Sequence, residues 1–517
     1  MTEPQRYVNP WLIAVSVMFA TFMEVLDTTV VNVSLPHIAG SLSASIDEAT
    51  WALTSYLVAN AIILPMTGWL ASMFGRKNLL MASVIGFTAA SFLCGLAPNL
   101  PTLILFRILQ GATGGALQPL SQAVLLEAFP PHERGKAMGF WGQGIVVAPI
   151  LGPVLGGWLT DSYSWRWVFY INIPFGIASI VMTKMFIFDP PYIRQETRRI
   201  DYWGLGMLTV GIGALQYVLD KGQEDDWFSS RTITILTIVA VVTLVALVVH
   251  ELTTDDPVVD LRVFKVRSYA VGVFLMTVVG FVLYGSLVLL PVMLQTLLGY
   301  PSLQAGIAMA PRGVGAFFMM QITGRLTAYI DPRKLLTTGL VIGGVTLVWL
   351  AQLNLQAGYW DVFWPQLVQG IGMSLLFVPL TMVSMDAIPR ERMGNATSLF
   401  NLMRNLGGSV GIAITGTMLA RSQQSTTALL GSNVTIYDPS TQLRVAQLKA
   451  AFMAGGADAL TATNRAYAAI FGIVQRQAAM VAFVGIFQLL AIMFMALVPL
   501  VLLMRRPRGA AAPTGAH

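Results

Sequence analysis

Fourteen stretches of this chain are apolar over the length a helix needs to cross a bilayer, about 20 residues. Their limits are 11–35, 48–71, 79–97, 101–126, 135–159, 165–188, 201–220, 231–251, 268–296, 302–325, 334–352, 360–385, 395–420 and 477–504. Hydrocarbon offers no water to backbone N–H and C=O groups, so a crossing segment satisfies them within a helix or a closed barrel. Continuous runs of this length read as helices, and the fold class is an all-α polytopic membrane protein. Only 11% of the residues are charged, against about 25% in a soluble domain. Glycine (47) and proline (26) are plentiful, as membrane helices allow when neighbours re-satisfy the backbone. The formal charge of +6 is scattered through short loops, which argues against a nucleic-acid partner. The one cysteine, Cys94, lies in an apolar run, so no disulfide framework is read. No cleavable signal peptide is read either: the N-terminal segment includes Glu3, and its apolar run exceeds an h-region.

Alternate loops differ in charge. One set carries Arg76 and Lys77; Arg134 and Lys136; Arg194, Arg198 and Arg199; Arg262, Lys265 and Arg267; Arg333 and Lys334; Arg390 and Arg392. The tail adds Arg505, Arg506 and Arg508. The opposite set is nearly free of Lys and Arg until the long loop after the thirteenth segment, and it includes Glu224, Asp225 and Asp226. By the positive-inside rule both termini are cytoplasmic, which an even helix count requires.

The chain also echoes itself at an offset of roughly 258 residues. Pro131-His132-Glu133-Arg134 matches Pro389-Arg390-Glu391-Arg392, and Gln110-Gly111 matches Gln369-Gly370. Gly68-Trp69-Leu70 with Arg76-Lys77 resembles Gly324-Arg325-Leu326 with Arg333-Lys334. Six helices need a shorter offset, so two helices are inserted between two six-helix halves. The expected organisation is 1–190, an N-terminal six-helix bundle; 191–260, two inserted helices with linkers; and 261–505, a C-terminal six-helix bundle including an extracytoplasmic loop at 421–476. Residues 506–517 form a cytoplasmic tail. Parallel six-helix repeats around a midplane site are a transporter plan.

Within the first apolar segment stand two carboxylates, Glu24 and Asp27. An acid at that depth is expensive and marks function. At i and i+3 the two share a helix face, and in a dry site both cannot ionise cheaply. Arg107 is a cation inside the fourth segment. At 1.5 Å per residue it lies about 9 Å below the outer surface and Asp27 about 12 Å below it. The two are level, so an Arg–Asp pair or a tuned proton site follows. Arg107 tying helices together through backbone carbonyls is the plainer alternative.

Gly139 to Leu159 contains Gly152-Pro153 and Gly156-Gly157, a small-residue face with a kink. It reads as a hinge or ion seal, or as close helix packing. Gly68 to Lys77, with Gly75, Arg76 and Lys77, reads as a gating loop or as a topology anchor. Arg312 and Arg404 are further buried cations, and with Asn32, Asn60, Gln110, Gln118 and Tyr284 they are candidates for a substrate cavity. The outward loop 421–476 holds helix-like stretches near 440–454 and 459–476. It is either a docking surface for a periplasmic partner or a hairpin capping the exit.

No nucleophile–base set, metal-ligand cluster or cofactor motif stands out, with no H-E-x-x-H, G-x-S-x-G or phosphate loop. The histidines His37, His132, His250 and His517 lie at helix ends or in loops. Neither an enzyme nor a primary pump is expected, and no cofactor.

Together these segments resemble the major facilitator superfamily, in particular its fourteen-helix drug:proton antiporters of EmrB type. Leu26 to Asn32, continuing through Leu35-Pro36-His37-Ile38, looks like the family's first-helix motif. Leu103 to Ala116 looks like the proton-transfer motif with its arginine, and Gly139, Gly152-Pro153 and Gly156-Gly157 like the antiporter motif. Trp165 to Pro174 resembles a further signature of this branch. There are two departures. Ser72 stands where the G-x-L-a-D loop has its aspartate, and Ala148 replaces one expected glycine. The resemblance implies a bacterial inner-membrane antiporter that exports hydrophobic drugs in exchange for protons. It implies a periplasmic adaptor and an outer-membrane channel as partners. A transporter dedicated to one metabolite is the alternative. Asp27, Arg107 and, by spacing alone, Glu24 are the proton-coupling candidates. Glu24 reads either as a second proton site or as a cavity carboxylate for cationic substrates.

Overall fold

The computed structural model describes residues 9–189, 201–435 and 437–505. The expected loop cations Arg194, Arg198, Arg199, Arg506 and Arg508, and the tail 506–517, lie outside the described residues. The described residues form helices joined by short connections, with no strand among them. The long helices are α1 (Pro10–Ser41), α2 (Trp51–Phe74), α3 (Arg76–Leu96), α4 (Leu100–Ala128, interrupted at Gly115 and Ala116), α5 (Arg134–Ser162), α6 (Trp167–Phe186), α7 (Tyr202–Lys221), α8 (Arg231–Thr253), α9 (Arg267–Thr296), α10 (Ser302–Leu326), α11 (Pro332–Leu350), α12 (Tyr359–Met385), α13 (Met393–Ser432), α14 (Pro439–Ala454) and α15 (Ala459–Val501). Polar side chains start several of them. Asn9, Asn99 and Asp331 accept from the first free backbone N–H groups of α1, α4 and α11, each followed by a proline near N1, where its missing N–H costs nothing.

Twelve of these helices are long and apolar enough to cross a membrane. Helices α10 and α13 fall short on apolarity, although they have 25 and 40 residues. Gly313, Gly315 and Gly324 of α10 and Gly407, Gly408 and Gly411 of α13 press on other helices, and α13 buries Asn401 and Arg404.

Helix α1 packs on α4, α5 and α6, and α4 on α2 and α3, forming an N-terminal group. Helix α9 packs on α13, α12 and α15, α10 on α12, and α11 on α12 and α15, forming a C-terminal group. The groups meet through α2 and α4 against α13, and through α5 against α10. Helix α7 touches both α2 and α13, while α8 packs chiefly on α7 and turns Ile238, Val241, Val242, Val245 and Val249 outward.

Two expectations need correction. The segment Gly68–Lys77 is not a loop: α2 continues to Phe74, and only Gly75, at φ +80°, separates it from α3. That left-handed backbone suits glycine. The outward loop 421–476 is largely helix. Helix α13 runs on to Ser432 and α15 begins at Ala459, with α14 packed against α15. At 1.5 Å per residue, helices of 40 and 43 residues outreach an apolar layer of about 30 Å by roughly as much again.

Candidate functional site

Asp27 is fully buried on α1, and three side chains from two other helices converge on it. Arg107 Nη1 on α4 donates to Asp27 Oδ2 at 2.5 Å. One turn further along α4, Gln110 Nε2 donates to Asp27 Oδ1 at 2.9 Å. Asn172 Nδ2, at the start of α6, donates to the same oxygen at 2.7 Å. Arg107 is itself fixed on several sides. Its Nε donates to the Ala52 carbonyl at 2.8 Å and its Nη1 also reaches Gln110 Oε1 at 2.7 Å. Its guanidinium lies 4.2 Å from the centre of the Tyr56 ring, a cation–π contact in a dry setting. The Arg107 Nη2, the Asn172 Oδ1 and the Tyr56 hydroxyl have no hydrogen-bond partner among the described residues. A buried ion pair held this completely costs more to desolvate than a neutral pair would.

The small-residue face of α5 lies against α1 just beyond Asp27. A Cβ at Gly152 would stand 2.1 Å from Thr29 Oγ1, and one at Gly156 would press on Val30. Ala148, at the expected glycine, is fully buried and its carbonyl lies 3.5 Å from Thr29 Oγ1. Gly139 instead touches α10 through the Met320 carbonyl. Gly157 has open space around it and Pro153 is exposed, so neither forms part of this contact.

Glu24 belongs to a second cluster, one turn toward the end that carries the basic loops. It is buried; Asn60 Nδ2 donates to its Oε1 at 3.1 Å, while its Oε2 has no hydrogen-bond partner among the described residues. Arg404, from α13 in the C-terminal group, donates to Gln118 Oε1 on α4 at 2.5 Å and lies within electrostatic reach of Glu24. Below it, Asn401 donates to Gln122 at 2.7 Å and Thr397 to the Pro119 carbonyl at 3.1 Å. These contacts hold the two groups together toward the basic end.

Further contacts close that end. Gly68 on α2 meets the backbone of Asn395, and Gly324 on α10 meets the backbone of Gly135. These are the same contact made twice, since Gly68 and Gly324 hold equivalent places in the repeat. Arg76 pairs with Glu127 and donates to the Arg390 carbonyl at 3.3 Å. Lys77 caps the other way, with its N–H on Asp189 and its ammonium on the Lys184 carbonyl. Ser72, in place of the loop aspartate, donates within its own helix to the Trp69 carbonyl.

The remaining candidates scatter. Gln110 is not in an open cavity; it is fully buried as a donor to Asp27. Asn32 is exposed, and half-buried Tyr284 packs against Gly408. Arg312 is half-buried on α10 with no acidic partner among the described residues. Two cavities open toward the end away from the basic loops, one of about 230 Å³ between α9, α13 and Gln223, and one of about 610 Å³ between α9, α13 and α15.

A family model, the Major Facilitator Superfamily, matches residues 17–412. The chain belongs to this superfamily. Within it, the multidrug export protein EmrB of Escherichia coli K12 is 42% identical over 85% of this chain and 86% of its own length. The fatty acid resistance protein FarB of Neisseria gonorrhoeae is 39% identical over 96% of each chain. The chain is thus in the EmrB-like branch. Two solved structures share the fold: the human organic anion transporter MFSD10, at TM-score 0.60 and 12% identity over 94% of this chain and 100% of that one, and the proton:xylose symporter XylE, at TM-score 0.57 and 18% identity over 81% and 90%. A major facilitator protein of this branch is a multi-pass membrane transporter and not an enzyme.

For such a transporter, two residues of the Asp27 shell escaped the sequence reading. Asn172 lay in the Trp165–Pro174 signature, whose chemistry the spacing does not disclose. Tyr56 carried no signal, since a tyrosine in an apolar helix is ordinary core.

Proposed function

We propose that this chain is a proton-coupled antiporter that exports hydrophobic toxic compounds across the bacterial inner membrane by alternating access. The observation that carries the reading is the Asp27 core: a carboxylate with no exposed surface, paired with Arg107 at 2.5 Å and held by Gln110 and Asn172. A carboxylate in apolar surroundings beside a movable helix contact is where proton binding and helix movement can be linked. The α5 glycines against Thr29 and Val30 tie that helix to the site. The name of EmrB supports multidrug export. In this reading α10 and α13 also span, giving fourteen helices as two six-helix bundles around the inserted pair α7–α8. The basic loops and both termini are cytoplasmic. Gly68, Gly75, Arg76 and Lys77 act as the cytoplasmic gate, a role supported by the Gly68 contact with Asn395 and the Arg76 bond to the Arg390 carbonyl. The protruding hairpin of α13, α14 and α15 exposes Leu429, Tyr437, Leu443, Leu460 and Phe471, a surface suited to a periplasmic adaptor that leads to an outer-membrane channel.

The test is transport in proteoliposomes under an imposed pH gradient. Asp27→Asn inserts and folds but loses gradient-driven transport. Transport at the wild-type rate by that variant would sink the assignment. A narrower reading, one class of amphiphilic acid, draws on FarB, which matches nearly the whole chain. Growth of a susceptible host on a panel of cationic, neutral and weakly acidic compounds separates the two: resistance to a single class favours the narrower one.

A further inference from the structure

Arg312 of α10 stands at mid-depth, about 15 Å from the helix end that begins at Ser302, away from the basic loops. A cation at that depth is expensive and is normally held by an opposite charge or by polar groups. Arg107, the comparable cation of the N-terminal group, has Asp27. Arg312 has no acidic partner among the described residues. Its own helix carries no acid, and the one acid of α12, Asp361, accepts from the Gly358 N–H at the start of that helix.

The outward stripe of α10 is Ile307, Val314, Phe318 and Ile322, and Arg312 is not on it. One turn to either side of Arg312 stand the buried Ala308 and Ala316. Ser374 of α12 donates to the Ala316 carbonyl at 2.9 Å, and the Arg312 carbonyl itself meets Gly370. Arg312 therefore lies on the α12 side of its helix, between two small residues, and is still only half-buried. Beside Gly370 on α12 is Gln369, with Gln366 one turn earlier, and each is 1% exposed. Gln366 Nε2 donates to Gln369 Oε1 at 3.3 Å, while Gln369 Nε2 has no hydrogen-bond partner among the described residues. A buried amide donor without an acceptor is costly. A cation without an anion and a donor without an acceptor thus flank one backbone contact. What both lack is an anionic oxygen.

We propose that Arg312 and Gln369 form a head-group site for an amphiphilic acid. The carboxylate accepts from the Arg312 guanidinium and from Gln369 Nε2, and Gln366 holds that amide in place. The bound acid supplies to Arg312 the charge that Asp27 supplies to Arg107. The site rests on the amphiphilic-acid reading given above and deepens it by naming the residues that select the acid. Its depth sets it apart from the level of the bilayer headgroups.

The test is equilibrium binding of radiolabelled dodecanoate and dodecanol, which share a chain but not a charge, to the full chain in nanodiscs. It is read at about pH 8, where the acid is ionised, with no gradient, and empty nanodiscs correct for partition into lipid. Dodecanoate binds the wild type saturably, and dodecanol binds about tenfold or more weakly. Arg312→Gln weakens dodecanoate by about tenfold or more and leaves dodecanol unchanged, and Arg312→Lys recovers part of the loss. Gln369→Glu places the missing acid inside the frame. It abolishes saturable dodecanoate binding and keeps that of dodecanol, and it decides the matter if Arg312→Gln does not fold. No saturable dodecanoate binding by the wild type, wild-type dodecanoate affinity in either variant, or an equal loss for acid and alcohol overturns the site. Gradient-driven dodecanoate transport in proteoliposomes is read separately. Binding as expected without transport overturns export of the acid and keeps the site, whereas transport with wild-type binding in both variants does the reverse.

Discussion

The two halves place different chemistry at equivalent positions. On α4, Gln110-Gly111 corresponds to Gln369-Gly370 on α12, and each glycine meets a backbone carbonyl of the neighbouring helix. A Cβ at Gly111 would stand 2.3 Å from the Tyr56 oxygen, and one at Gly370 would stand 1.9 Å from the Arg312 oxygen. That contact fixes the register, so Arg107 corresponds to Gln366 and Tyr56 to Arg312. In the first half the cation sits on α4, stacked on Tyr56 and neutralised by Asp27. In the second, the α12 position is a neutral amide, with Gln366 Nε2 on Gln369 Oε1 at 3.3 Å, and a cation, Arg312, stands on α10 with no acidic partner among the described residues. One packing frame holds an ionic core on one side and, on the other, a neutral core with a cation that has no acidic partner among the described residues. The proton site proposed above, Asp27 with Arg107, thus has no ionic counterpart at the equivalent α12 position.

The largest break in this comparison is Arg107→Gln, which copies Gln366 into the first half. It strands Asp27 without its counter-charge, and removing one member of a buried pair costs about 3–5 kcal/mol. The expected outcome is lost transport and a clear drop in the melting temperature in detergent. Asp27→Asn/Arg107→Gln, neutral like the second half, regains most of that stability and no transport. A double variant as unstable as the single one would mean that the frame of the first half cannot hold a neutral core. Next in size are Gly111→Ala and Gly370→Ala. Both push a methyl into a backbone carbonyl, for about 1–3 kcal/mol of strain. Similar losses of thermal stability are expected, and a much smaller loss at Gly370 would show that the two contacts are not equivalent. Gln366→Ala removes one neutral hydrogen bond, about 1 kcal/mol net, and leaves the pH dependence of transport unchanged. A shifted pH profile would place proton coupling in both halves.

The ionic core was legible in outline because helix rise alone puts Asp27 and Arg107 at one depth, and an acid in a span has few innocent readings. Its outer members were not. Asn172 and Tyr56 gain meaning only once α6 and α2 are packed against α1 and α4, and Gln110 read as a cavity residue because spacing does not say which way a side chain faces. The repeat was visible in Gln369-Gly370, yet the displacement of the cation from α4 to α10 needed the contacts of Gly111 and Gly370. The low apolarity of α10 and α13 has a related cause. Gln321 of α10 and Asn401 and Arg404 of α13 bond to other helices, so composition along the chain understates how well these helices suit a membrane. In the outward segment 421–476 the helix-like stretches near 440–454 and 459–476 were legible, but not that α13 and α15 continue unbroken from their apolar spans into it.

The smallest expected effect, and the sharpest test of the comparison, is at Glu24. This carboxylate shares the first half with Asp27 but not its geometry. It accepts a hydrogen bond from Asn60, its second oxygen has none among the described residues, and Arg404, the cation that acts on it, belongs to the other half and donates to Gln118. Glu24→Gln keeps the shape and the acceptor for Asn60. Folding should be unaffected, and a pH gradient should still drive transport at a rate reduced a few-fold, far from the loss at Asp27→Asn. The residual effect should depend on the charge of the compound. A cavity carboxylate predicts that transport of lipophilic cations falls while that of neutral compounds holds. A second proton site predicts an equal fall for both, with a weaker dependence on the gradient. Complete loss for every compound would remove the distinction between the two acids and make the first half a two-carboxylate core.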